Sequence, residues 1–178
     1  MTAPTVRFET LIEGYHDEIY RYLWRLLKNA GRTDSDVEAE DLTQEVFLRA
    51  YRAFGRLRRD SNHRAWLYKI ATNCAYAALK QGQRQDQHDV PLQDEIHRLQ
   101  AGVSQAPDHQ VSVSETLAAV RQSIATLPLK QRTAVVLRHV QELSYAEIAV
   151  ALDCSEDSAR ANVYQGLRRL RRELEDES

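Results

Sequence analysis

The chain has 178 residues, with 24 Lys+Arg against 26 Asp+Glu and a formal net charge of −2 at pH 7. That length suits one ordinary domain or two small ones, at roughly 100–200 residues per domain, and a composition 43% hydrophobic and 28% charged is that of a soluble globular protein. No apolar run approaches the ~18 residues needed to span a bilayer, the first residues carry no charged-then-apolar leader, and Cys74 and Cys154 lie far apart without CxxC spacing, so a membrane span, a secretory signal, a disulfide framework and a cysteine-rich zinc site are all disfavoured and a reducing, cytoplasmic setting is expected.

With only 4 prolines and 6 glycines the chain reads as mainly helical. Over residues 7–30, Phe8, Leu11, Ile12, Tyr15, Ile19, Tyr22, Leu23, Leu26 and Leu27 recur at threes and fours, the spacing of one helical face, and Gly31 ends the run. A second helix is predicted over 36–54, with Leu42, Val46, Ala50 and Phe54 on one stripe and acids in its first turns, where they suit the macrodipole. A short basic connection comes next. The third helix is predicted over 62–80, capped by Ser61 or Asn62, with Trp66, Ile70, Cys74 and Ala77 along one face.

From Gln81 the apolar pattern is lost, and Pro91, Gly102 and Pro107 break up the stretch up to residue 113. Residues 81–113 therefore read as a flexible linker, with room for one short helix near 93–100. Periodicity returns at Ser114: Leu117, Val120, Ile124 and Leu127 mark a helix stopped by Pro128, and 130–140 another. Ser144-Tyr145-Ala146-Glu147 has the form of a capping box, opening a short helix that ends at Asp153-Cys154; Ser155 then caps a longer one through Arg172. A short capped helix, a tight turn and a second capped helix make a helix-turn-helix, and a basic second helix makes that a DNA-binding signal. The expected architecture is all-α: two small helical domains, 1–80 and 114–178, joined by the linker.

Charge is unevenly placed. Between residues 49 and 69 stand seven cations (Arg49, Arg52, Arg56, Arg58, Arg59, Arg64, Lys69) and one acid, Asp60; between 160 and 172 stand five cations and no acid. Two local basic blocks on a near-neutral chain read as two anion-contacting surfaces, although either block alone is also what a solvated helix face looks like. There is no Gly-rich phosphate loop, no paired histidine ligands and no nucleophile–base set, so neither an enzyme nor a cofactor is expected. The acids Glu38, Glu40, Asp41 and Glu45 lack a histidine at ligand spacing and read as a partner-binding face rather than a metal site.

Three motifs in order carry a resemblance. Asp41-Leu42-Thr43-Gln44-Glu45-Val46-Phe47-Leu48-Arg49-Ala50-Tyr51, then Ala65-Trp66-Leu67-Tyr68-Lys69-Ile70-Ala71-Thr72-Asn73, then Leu127-Pro128-Leu129-Lys130-Gln131-Arg132 leading to Leu143-Ser144-Tyr145-Ala146-Glu147-Ile148-Ala149 resemble the bacterial RNA polymerase sigma factors of the extracytoplasmic-function group. The resemblance implies a transcription initiation factor that binds core polymerase through its β and β′ subunits, places it on −35/−10 promoters and assists strand opening. It also implies an anti-sigma partner. Asp41, Gln44, Glu45, Phe47, Leu48 and Arg49 are implied as the polymerase contacts.

For the −10 strand, captured by cations and aromatic faces, the candidates are Arg56, Arg58, Arg59, Asn62, His63, Arg64, Trp66, Tyr68, Lys69 and Asn73. Trp66 shares the stripe of Ile70 and Cys74 and reads more readily as a core anchor; Tyr68 falls off that stripe and is the better stacking candidate. For the −35 duplex, the start of the last helix is expected in the major groove, presenting Ser155, Glu156, Asp157, Ser158, Arg160, Ala161, Asn162 and Gln165, with Arg168 and Arg169 on the backbone. Asn162 and Gln165 stand where the family usually carries cations, so weaker −35 binding is expected. Two other readings stay open: a helix-turn-helix regulator that is no polymerase subunit, and a polymerase adaptor that no longer reads DNA.

Overall fold

A computed structural model describes residues 7–58, 60–88 and 111–176, and these contain seven helices and no strand. They are α1 (Phe8–Asn29), α2 (Ser35–Phe54), α3 (His63–His88), α4 (Val111–Thr126), α5 (Leu129–His139), α6 (Tyr145–Leu152) and α7 (Glu156–Asp176).

In the first lobe α1 lies along α2 and both pack on α3. The predicted stripe of α1 is its buried face: Leu11, Ile19, Tyr22, Leu23, Leu26 and Leu27 are all shielded from solvent. Gly31, at φ 78°, closes the helix with two returning bonds, Gly31 N–H to the Lys28 carbonyl and Arg32 N–H to the Leu27 carbonyl. This left-handed closure suits a residue without a Cβ. Asn62 is the cap of α3, its Oδ1 accepting the Ala65 N–H at 3.0 Å.

The third helix is longer than its apolar pattern suggests, running on to His88 instead of stopping at Lys80. Gln, Arg and Asp at 81–87 supply no apolar stripe, but Gln and Arg are good helix formers and carry the turn onward. Gly82 is buried where the Arg32 guanidinium crosses it. The fourth helix likewise begins at Val111. The short helix expected near 93–100 lies outside the described residues.

In the second lobe α5 and α6 pack on α7, with α4 alongside α7. The capping box at Ser144 is complete: its hydroxyl accepts the Glu147 N–H, and Glu147 Oε2 accepts the Ser144 N–H at 2.8 Å. Asp153, at φ 52°, ends α6 in the left-handed region, with Cys154 N–H returning to the Ala149 carbonyl. Ser155 Oγ accepts the Ser158 N–H at 3.1 Å and caps α7. Gly166 permits the close crossing of α7 on α5, since a Cβ there would sit 2.6 Å from Val135 Cγ2.

The lobes are not held apart. α6 lies against α3, α4 touches α1, and buried apolar residues of both lobes belong to one contiguous cluster. Apolar spacing alone leads to the expectation of two bodies on a slack tether. It does not disclose that α3 is buried on one side by α1 and α2 and on another by α6.

Candidate nucleic-acid and polymerase interfaces

Three surfaces collect the predicted residues. The first is the outer face of α2. Ala39, Thr43, Val46, Phe47 and Ala50 turn inward, while Val37, Asp41, Gln44, Leu48 and Tyr51, spaced by fours and threes, make one outward stripe. Its apolar members are well exposed: Val37 65%, Leu48 52% and Tyr51 67%. Large apolar side chains in such a stripe, alternating with polar ones, are the composition of a partner interface. Glu45 and Arg49 form an i,i+4 pair at 2.6 Å beside it. Phe47 is the exception among the predicted contacts. It is buried in the lobe's core, stacked on His16 at 5.9 Å, because it continues the inward stripe of Thr43, Val46 and Ala50. Val37 and Tyr51 are additions to the predicted set, and continuing the period of Asp41, Gln44 and Leu48 outward is the signal that finds them.

The second surface is the α2–α3 connection and the front of α3. Arg56 and Arg58 are exposed, Arg58 beside Asp60 at 3.3 Å, and Asn73 is exposed on α3; Arg59 lies outside the described residues. His63 is half-buried against Phe54. Trp66 is half-buried and packs on the core. Tyr68, expected to offer a free ring, is fully buried: its edge meets Tyr22 at 5.0 Å, and its hydroxyl lies 2.7 Å from Glu18 Oε1 and 3.0 Å from the Gln141 amide. The phenol has a single proton. Given to the carboxylate, it leaves Gln141 best satisfied by turning its NH2 to the phenol oxygen. Burial, then the contact with the Glu18 carboxylate, pushes the Tyr68 hydroxyl far above its ordinary pKa, so it stays a neutral donor.

Glu18 organises this corner. Its Oε1 also accepts from Arg64 Nε at 2.8 Å and Nη2 at 2.6 Å, and Arg64 Nη2 donates to the Gln141 carbonyl at 2.7 Å. Asn62 Nδ2 donates to Glu147 Oε1 at 3.1 Å, and Lys69 Nζ to Asp153 Oδ1 at 2.7 Å. That bond and the Lys69 charge hold the Asp153 carboxyl below its ordinary range. The pairings of Glu18, Gln141, Glu147 and Asp153 with α3 leave no signal in the sequence, because the partners lie 46 to 85 residues away.

The third surface is the start of α7. Ala159, Val163 and Gly166 face the lobe, and Ser155, Glu156, Asp157, Ser158, Arg160, Ala161, Gln165, Arg168 and Arg169 are exposed around them. Arg160 lies over the Tyr145 ring at 4.6 Å and pairs with Glu156 at 3.2 Å, which fixes its direction. Asn162 is half-buried, its amide donating to the Ser158 carbonyl at 2.8 Å, and Gln165 Oε1 accepts from Gln131 at 3.0 Å. Among the described residues no three His, Cys, Asp or Glu side chains are grouped to hold a metal ion, and no helix is long and apolar enough to cross a membrane.

Residues 11–85 match the family model described as Sigma-70 region 2, and residues 117–170 that of Sigma-70, region 4. The chain belongs to the sigma-70 family, in its extracytoplasmic-function group. It is 34% identical over 164 residues to RNA polymerase sigma-H factor of Pseudomonas aeruginosa, covering 89% of this chain and 81% of that one. It is 29% identical over 177 residues to ECF RNA polymerase sigma factor SigW of Bacillus subtilis (95% and 89%), and 31% identical over 151 residues to ECF RNA polymerase sigma-E factor of Escherichia coli K12 (83% and 79%). Among solved structures, the fold is similar to sigma factor RpoE in its complex with the anti-sigma factor NepR from Bartonella quintana, with TM-score 0.68, 22% identity and coverage of 94% and 96%. It is also similar to CnrH in complex with the cytosolic domain of CnrY, with TM-score 0.66, 19% identity and coverage of 96% and 89%.

Proposed function

We infer that the chain is a transcription initiation factor that binds core RNA polymerase and directs it to promoters. The observation that carries this is the pairing, in one chain, of a region 2 lobe and a region 4 lobe in the order found in sigma factors. A helix-turn-helix regulator independent of polymerase accounts for the second lobe alone and leaves the first without a task.

Residue by residue, the division of labour follows from chemistry. The α2 stripe, with Leu48, Val37 and Tyr51 as apolar anchors and Asp41, Gln44, Glu45 and Arg49 as the polar rim, suits a helical partner on the polymerase. Arg56, Arg58, Asn62, Arg64, Lys69 and Asn73 supply phosphate and base contacts for an unpaired −10 strand, with Trp66 the more accessible aromatic face. The exposed start of α7 suits a −35 major groove, where Arg pairs with guanine and Asn or Gln with adenine. No step of this function requires catalysis or a cofactor by the chain itself. The place of action is the cytoplasm, where polymerase works, and an anti-sigma protein is a fitting antagonist.

The test is run-off transcription by core polymerase on a promoter library, with and without the protein. Added protein is expected to redirect initiation to a defined subset of templates with recurring −35 and −10 elements. An unchanged template profile refutes the assignment.

A further inference from the structure

We propose that Tyr145 is a positioning residue for promoter recognition: its ring aims Arg160 at one base pair of the −35 duplex. The proposal rests on the initiation-factor reading above and adds a residue outside those assigned to either DNA element.

The start of α7 is poor in positive charge. From Ser155 to Leu167 Arg160 is the one cation, against the acids Glu156 and Asp157. The amides of Asn162 and Gln165 are already bonded within the lobe, to the Ser158 carbonyl and to Gln131. Arg160 is exposed, and the direct readout by this helix start falls mainly on it. Arg reads guanine through two parallel bonds to its major-groove edge.

An arginine loose on a helix surface samples many rotamers and gives up that freedom when it grips a base. Here much of it is given up in advance. The Arg160 guanidinium stands over the Tyr145 ring at 4.6 Å, and Arg160 Nη2 donates to Glu156 Oε1 at 3.2 Å. The ring attracts the cation through its negative face and offers no oxygen for the N–H fork to bond. The contact therefore sets a direction and leaves donors for a base edge.

Tyr145 is itself held in place. It is the first residue of α6, directly after the Ser144 cap, whose reciprocal bonds with Glu147 fix the helix start. Its ring is half-buried and packs on the core. A second guanidinium, that of Arg138 in α5, lies 4.8 Å from the same ring, and Arg138 Nη1 donates to the Leu143 carbonyl at 2.9 Å. One aromatic ring thus joins α5, the turn into α6 and the start of α7.

The test uses the full chain with core polymerase on duplex templates carrying randomised −35 and −10 elements, the templates used being sequenced. Tyr145→Leu keeps apolar volume and removes the ring; Tyr145→Phe keeps the ring and removes the hydroxyl. Holding one rotamer-rich side chain in advance is worth about two- to tenfold in binding. Tyr145→Leu is therefore expected to lower the preference for guanine about two- to tenfold at one −35 position, the position that Arg160→Ala flattens. Tyr145→Phe is expected to restore the parent preference. In the Arg160→Ala background Tyr145→Leu is expected to change nothing further, and preferences at the −10 element are expected to stay as in the parent. A merely structural role for the ring weakens all −35 positions together instead. Tyr145→Met supplies a second ring-free variant, and thermal melts identify which of the two keeps the parent fold.

The proposal is overturned by a folded ring-free variant with the parent's profile, by an even loss across the −35 positions, or by losses that add to those of Arg160→Ala. It is also overturned if Tyr145→Phe matches Tyr145→Leu, or if Arg160→Ala flattens no single position. A parent that does not redirect core polymerase defeats the initiation-factor reading and the proposal with it. A parent that does redirect it, with any of the results just named, defeats the positioning role alone.

Discussion

Replacing Glu18 by Gln tests whether one carboxylate organises the front of α3. The substitution keeps shape and one acceptor oxygen but removes the charge that takes two bonds from Arg64 and one from Tyr68, all on Oε1 and all within 2.8 Å. Hydrogen bonds to a charged group contribute about 1.5–3 kcal/mol when desolvated, against about 1 for neutral ones. The side chains of Glu18 and Arg64 are 24% and 29% exposed, so water screens part of that difference. The expected loss is about 1–2 kcal/mol. At about 2–4 °C per kcal/mol for a chain of this size, that lowers Tm by about 2–8 °C. Urea denaturation followed by far-UV circular dichroism measures it, with an unchanged m-value expected. Tyr68→Phe and the double variant complete a cycle, whose coupling is expected at about 0.5–1 kcal/mol because the two residues are bonded directly to each other. A Glu18→Gln protein within about 0.5 kcal/mol of its parent, or a coupling of zero, refutes the claim that these three bonds hold Arg64 and Tyr68 in place.

Leu48→Asp, on the outer stripe of α2, is expected to leave stability within about 0.5 kcal/mol while weakening capture of core polymerase more than about tenfold in a pull-down titration, the effect of removing an apolar anchor. Gly166→Ala should destabilise by about 1–3 kcal/mol in a thermal melt, since the added methyl meets Val135 at 2.6 Å in a packed crossing. For Glu147, burial disfavours the charge, but bonds from the Ser144 amide, Asn62 and the Ser144 hydroxyl, with the charge of Arg64, outweigh it and hold the carboxyl below its ordinary 4.5. A depressed pKa stabilises the fold above the ordinary value and is lost as pH falls through the lowered one. The stability gap between parent and Glu147→Gln, measured by denaturation at stepped pH, should therefore be full above 4.5 and close below it; a gap independent of pH contradicts the assignment. Gln165→Lys adds one cation to the exposed start of α7, and in filter binding of the polymerase complex to −35 duplex DNA it should steepen the salt slope by about one.

The features legible without coordinates are local. The stripes of α1, the capping box at Ser144 and the cap at Ser155 depend on residues three or four apart, and each stands where its spacing puts it. Two of the errors share a cause. A single apolar stripe misplaces Phe47 and Tyr68, because Phe47 sits 100° from Val46 on a wide inward face and Tyr68 lies on a helix covered from two directions. The extension of α3 beyond Lys80 follows from propensity rather than pattern. The acids that pair with the candidate DNA residues are invisible for a different reason: a contact between residues eighty positions apart leaves no periodic trace in one sequence.

That pairing alters how the basic blocks should be counted. Of the seven cations between 49 and 69, Arg49, Arg58, Arg64 and Lys69 each face a carboxylate of this chain: Glu45, Asp60, Glu18 and Asp153. When a phosphate replaces an internal carboxylate, the DNA releases a counterion but the freed carboxylate attracts one in return. The salt dependence of binding reports net release, at about 0.9 per phosphate neutralised, so an exchanged pair contributes less than a free cation does. Cation number thus overstates both the affinity and the salt slope of the front lobe. Arg49 and Arg58 have their acids within the same lobe, so the discount there persists in any arrangement of the two lobes. The Lys69–Asp153 pair instead joins α3 to the end of α6, so exchanging that carboxylate for a phosphate also gives up a contact between the two lobes.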